Sequence, residues 1–191
     1  EMFKPDEWGS TFFFFFLYYD VEEVSGISLA YWEIARDFKF WDAPFTLHAE
    51  FNGGLGQFAI TDDQKGVYNI NNMWLGGITY SYNSDDFSKG ITLQAMYKYI
   101  RDKSHPSFQL TAIWYVHMLN KKLSFMGFAD FWREDFVFGD ETTEYVFLSE
   151  PQLWYNFTEH LSVGSEVEFG YNFGGLKGFE IMPTLGARWN F

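Results

Sequence analysis

A chain of 191 residues is one domain by length, long enough to bury a core or to close a sheet on itself. Its formal net charge of -13 excludes a nucleic-acid partner, whose phosphates need Lys and Arg, and a basic membrane-surface helix. Aromatic residues make up 23% of the chain while mean hydropathy stays at -0.20, so apolar positions must be interleaved with polar ones. Cysteine is absent, which removes disulfides and thiolate metal sites and leaves the redox compartment unreadable.

In chain order, EMFKPDEWGS (1–10) carries no signal peptide, as expected of a mature exported chain. Within it KPDEWGS reads as a turn, with Glu1, Met2 and Phe3 the tail of a strand leading down to it. Phe12 to Tyr19 is a run of eight apolar or aromatic residues. A transmembrane helix needs about 18; at roughly 3.3 Å per residue a strand of this length covers the apolar band of an outer-membrane barrel. If the odd residues face lipid, Phe12, Phe14, Phe16 and Tyr18 face the lumen. ISLAYWEIARDFKFW (27–41) resists a single register, as a bulge would make it do. Phe45, Leu47, Ala49 and Phe51 then alternate with Thr46, His48, Glu50 and Asn52.

GGLGQFAITDDQKGVYN (53–69) reads as a long loop, followed by a strand with Trp74, Ile78, Tyr80 and Tyr82 outward. Ile91, Leu93, Ala95 and Tyr97 oppose Thr92, Gln94 and Lys98; Phe108, Leu110, Ala112, Trp114 and Val116 oppose Ser107, Gln109, Thr111 and His117. Leu123, Phe125, Ala129 and Phe131 oppose Ser124, Asp130 and Glu134, and EDFVFGDETT (134–143) reads as another loop. Tyr145, Phe147, Leu153 and Tyr155 oppose Glu144, Glu150, Gln152 and Asn156. Leu161 to Phe173 and Phe179 to Phe191 repeat the period of two, with Glu166, Glu168, Glu180 and Arg188 on the polar side. Ten strands and no amphipathic helix result.

A soluble sandwich and a membrane barrel both fit period two. Strands of ten or more residues exceed the usual five or six, and outward aromatics crowd the strand ends as girdles do, which favours the barrel. The longer connections gather on one side, placing the short turns and the C-terminus in the periplasm. The expected fold is therefore all-β: a transmembrane, antiparallel up-and-down barrel forming a single domain over residues 1–191. Strand parity predicts twelve strands in the full protein, with ten visible here and an N-terminal hairpin missing. A complete ten-strand barrel, its Ser10 strand paired with the last strand, is the competing case. Phe191 closes an alternating apolar series and is expected to be read by the barrel assembly machinery as well as to anchor the strand.

EMFKPDEWGSTFFFF, GISLAYWEIARDFKFW, LHAEFNGGL, ADFWREDF, VFLSEPQLWYN and PTLGARWNF resemble the uncharacterised Gram-negative outer-membrane proteins grouped with the Tsx-like nucleoside-channel superfamily. The resemblance covers essentially the whole chain. It implies a twelve-stranded barrel with a narrow lumen and an outer-membrane channel for small neutral polar solutes of nucleoside type. No nucleoside-contacting residue of that superfamily maps onto a position here.

The face expected to line the lumen is acidic: Glu50, Asp130, Glu134, Glu144, Glu150, Glu166, Glu168 and Glu180 stand against Lys98, Arg188 and Arg36. A three-residue turn after Asn156 places Glu150 opposite Glu166, a pair that either recruits a cation or is neutralised by Arg188 or Lys98 crossing the lumen. The inward rings are either stacking surfaces for a base or sugar or a plug of packed side chains. A structural or accessory barrel in a larger outer-membrane complex, with a filled lumen, is the alternative. An outer-membrane hydrolase is a second one, for which His105 beside Ser104 or Ser107 is the imaginable pair, but a solvated loop histidine is the commoner case and no enzyme is expected. No cofactor or metal site is expected; the expected partners are outer-membrane lipid, a small solute and the assembly machinery.

Overall fold

The computed structural model describes residues 1–20, 24–61, 64–138 and 140–191. They form β1 (Met2–Asp6), β2 (Gly9–Tyr19), β3 (Ile27–Phe38), β4 (Phe45–Thr61), β5 (Gln64–Asn83), β6 (Lys89–Ile100), β7 (Ser107–Met118), β8 (Leu123–Phe138), β9 (Glu141–Ser149), β10 (Gln152–Asn156), β11 (Leu161–Tyr171) and β12 (Phe179–Trp189), with no helix among the described residues. All belong to one up-and-down antiparallel sheet whose strand order follows the chain. β9 and β10 lie end to end, both between β8 and β11. Two compact units divide the chain, Glu1–Ile78 with Met96–Pro106, and Thr79–Ala95 with Ser107–Phe191.

In the first unit the KPDEWGS turn is a two-residue hairpin: Asp6 pairs with Gly9, and Trp8 N donates to Asp6 Oδ1 at 2.9 Å. Gly9, at φ 136°, lies so close to the Asp37 carbonyl that no side chain fits. The strand count rises accordingly, because Met2–Asp6 is a strand in its own right. It takes one edge of β2 from Gly9 to Phe13, while β3 takes the other. The ambiguous stretch from Ile27 runs in one unbroken register from Leu29 to Phe38, and the irregularity falls near its start, where Ser28 is passed over between the Tyr18–Leu29 and Tyr19–Ile27 pairs. It is apolar on both faces because Leu29, Tyr31 and Ala35 share the face of the β2 even-numbered rings, while Ala30, Trp32 and Ile34 share the other.

Both expected loops are largely strand. Residues 53–61 extend β4 and residues 64–69 begin β5. Its glycines signal packing, not turning. A Cβ at Gly56 would run into the Tyr68 ring and one at Gly66 into the Phe58 ring, so each glycine is a flat place on which a neighbouring strand lays an aromatic. In the second unit EDFVFGDETT likewise continues β8 to Phe138 and starts β9 at Glu141.

Burial is inverted relative to a water-soluble domain. Among the described residues eight hydrophobic side chains are buried against twelve polar or charged ones, while Phe13, Phe15, Ile34, Leu47, Leu93, Leu110 and Ile181 are exposed. Between the outermost strands the apolar face is thus left uncovered and the polar face covered, whereas β1 and β12 are exposed along nearly their whole length.

Candidate functional site

The polar face of the first unit is a grid set by the β2–β3–β4 register. Its rows are Ser10, Asp37, His48; Phe12, Ala35, Glu50; Phe14, Glu33, Asn52; Phe16, Tyr31, Gly54; and Tyr18, Leu29, Gly56. Down the β2 column the rings touch in series: Phe12–Phe14 at 6.4 Å and Phe14–Phe16 at 6.0 Å are stacked, and Tyr18 meets Phe16 edge-on at 4.6 Å. Tyr31 meets Phe14 edge-on at 6.4 Å, and its hydroxyl donates to Glu33 Oε2 at 3.4 Å. Where β4 would crowd these rings, it carries Gly54 and Gly56.

The lower rows are polar and connected. His48 stands between two carboxylates, Nδ1 3.1 Å from Asp37 Oδ1 and Nε2 3.1 Å from Glu50 Oε2. Thr46 Oγ1 donates to Asp37 at 3.1 Å, Ser10 Oγ to Asp37 at 3.5 Å, and Asn52 Nδ2 to Glu50 at 2.6 Å. The His48 side chain is 2% exposed. Lys98, on β6, is also buried. Arg36 is not on this face. It sits on the apolar face opposite Thr11 and Ala49 and clasps Asp6 with both guanidinium ends, at 2.6 and 2.8 Å. Asp37, the partner that organises His48, has no place in the sequence reading because the two residues meet only through the β3–β4 register.

In the second unit the carboxylates gather around the β9–β10 junction. Asn156 pairs with Ser162 rather than with His160, and Phe157 N donates to the Leu161 carbonyl at 3.0 Å, so the turn is Thr158 to His160. Thr158 Oγ1 is the reason. It accepts from His160 N at 3.2 Å and Leu161 N at 2.9 Å, and that cap holds the turn in this register. The register therefore sets Gln152, not Glu150, against Glu166, and with Ser149 paired to Phe169 it sets Glu150 across from Glu168. Gln152 Nε2 donates to Glu166 while its Oε1 accepts from Trp154 Nε1 at 2.9 Å. Glu150 is repelled by Glu166, Glu168 and Asp130. Thr111 donates to Asp130, Trp132 Nε1 to Glu134 at 3.0 Å, and Arg133 lies 3.9 Å from Glu144.

Arg188 of β12 pairs with Ser162 of β11. Its guanidinium stacks over Trp154 at 4.8 Å and Nη1 reaches Met126 Sδ at 3.2 Å. Glu180, opposite Gly170, is exposed. His117 Nδ1 is 2.9 Å from Ser124 Oγ, in a neutral chain that continues through Asn156 Nδ2 at 3.0 Å to Ser162 at 2.7 Å. Ser104 Oγ is 3.3 Å from Nδ1 of the adjacent His105 on an exposed turn, whereas Ser107 donates to the Arg133 carbonyl instead. Phe191 lies beyond β12, fully exposed. Among the described residues no group of three or more His, Cys, Asp or Glu could hold a metal ion.

Residues 1–191 match the family model described as "Domain of unknown function (DUF5020)". No curated protein and no solved structure matches the chain.

Proposed function

We propose that this chain, which belongs to the DUF5020 family over its whole length, is an outer-membrane channel for small neutral polar solutes of nucleoside type, its strands closing into a lipid-embedded barrel. The inverted burial carries the reading. A sheet whose polar face is covered and hydrogen-bonded while Phe13, Phe15, Ile34, Leu47 and Leu110 are left exposed belongs in lipid, where the apolar face is solvated and the polar face turns to an aqueous lumen. Strands of 11 to 20 residues in β2 to β7 reach or exceed the length of about 9–11 needed to cross. On the lumenal side the column from Phe12 to Tyr18 offers a stacking surface, and Glu33, Glu50 and Asn52 stand one or two strands away with acceptors for a hydroxylated solute. The acid-rich face repels phosphate and carboxylate.

Swelling of proteoliposomes tests this directly. Nucleosides should enter faster than the corresponding nucleotides; equal rates would reject the selectivity, and no swelling with any solute would reject the channel. The series contact of the four β2 rings, which pack on one another, favours a second reading, an accessory barrel with a filled lumen. A flat current trace from the folded, reconstituted protein would select it.

A further inference from the structure

We infer that His48 sets the cation preference of the proposed channel by carrying a proton on both ring nitrogens and so cancelling one of the two carboxylates it bridges; the inference rests on the channel reading above. Nδ1 and Nε2 each lie 3.1 Å from a carboxylate oxygen, of Asp37 and Glu50 respectively. A neutral imidazole has one N–H and one bare nitrogen. In that form one of the two contacts would set a lone pair against a carboxylate oxygen, with the histidine side chain 2% and the Glu50 side chain 6% exposed and little water to intervene. A proton on each nitrogen makes both contacts charge-assisted hydrogen bonds.

The charge ledger follows from the same neighbours. Asp37, Glu50 and a doubly protonated His48 sum to one negative charge, and loss of the shared proton makes it two. Around them β3 contributes Asp37 and, two rows along, Glu33; β2 contributes the uncharged Ser10 and Phe12; and Met73–Gly77 of β5, where Gly76 approaches the His48 carbonyl, has no titratable residue. Neither carboxylate depends on the imidazole to stay in place. Thr46 and Ser10 hold Asp37, and Asn52 holds Glu50. Removing the proton therefore leaves the additional negative charge where it is, facing the lumen, and cations gain over anions.

Planar-bilayer reversal potentials under a salt gradient read this out. For wild type the cation-to-anion permeability ratio should step up as pH rises and the imidazolium is lost. In His48→Gln the ratio should already be several-fold higher at neutral pH, because the compensating positive charge is gone, and should lack that step. His105→Gln, on the exposed turn, should keep it. Current with equal selectivity in wild type and His48→Gln overturns the role of His48 alone, whereas a folded wild-type barrel that carries no current overturns the channel reading and this role with it. Should His48→Gln fail to fold, ¹⁵N imidazole spectra of the wild type in nanodiscs stand in. Two protonated ring nitrogens at neutral pH are expected, and a bare one overturns the inference.

Discussion

Replacing Ile34 with arginine is expected to cost about 2–4 kcal/mol of folded stability in a bilayer, the range for a basic residue on the lipid face near the midplane. Ile34 is 49% exposed, in register between Phe13 of β2 and Phe51 of β4. In water the same exposure would make the substitution nearly neutral, within about 0.5 kcal/mol. The difference in sign and size separates the two environments for this face without any assay of transport. Ile34 is also well placed in depth. Four residues separate it from the Phe38 end of β3, about 13 Å along a strand, so an arginine there has a long way to reach out of an apolar band about 25 Å tall. The measurement is equilibrium unfolding from lipid vesicles, with heat-modified gel mobility as the check on assembly. Asp85→Arg, in the turn between β5 and β6, serves as the control. A null result for Ile34→Arg would remove the membrane from the proposed function.

Period-two alternation was readable wherever both faces of a strand followed one rule, as from Phe179 to Trp189, because side-chain direction in a strand depends only on parity. What could not be read from local sequence were features decided by a partner strand. The Gly53–Asn69 stretch carries every ordinary loop signal, yet the rings of Tyr68 and Phe58 need Gly56 and Gly66 as flat seats within a hairpin. The opposition of Glu150 and Glu168 turns on the Thr158 hydroxyl capping its own turn, a side-chain to backbone choice that shifts the whole ladder by two residues. Asp37 and His48 were each visible as polar residues in an apolar strand. Their meeting depends on the length of the turn between Phe38 and Phe45, which composition does not specify. The acidity of the candidate lumen was thus plain from residue types, and its connectivity was not.

Gly164→Ala should be a damaging single-methyl change on the polar face of the second unit. Gly164 of β11 lies directly opposite Trp154 of β10 and beside Gly186 of β12. The indole lies flat across the two glycines, with its Nε1 bonded to Gln152 and the Arg188 guanidinium stacked on it. A methyl at Gly164 would stand 2.6 Å from Trp154 Cε3 and against the Leu153 carbonyl oxygen, so both a ring and a backbone atom must move. At Gly186 the same methyl meets only Trp154 Cη2, at 3.3 Å, the outer rim of the ring. Overpacking of this kind costs about 1–3 kcal/mol. Gly164→Ala is expected at the upper end and Gly186→Ala at the lower end or below it. The pairing with Trp154→Ala sharpens the test. Removing the indole should recover part of the Gly164→Ala loss, since the ring clash disappears, but not all of it, since the Leu153 carbonyl remains; for Gly186→Ala it should recover nearly the whole. Denaturant midpoints of the three single and two double variants give both coupling energies. If the two glycines prove equally tolerant, or if Trp154→Ala rescues neither, the indole is not seated on them, and the placing of Arg188 above it loses its support.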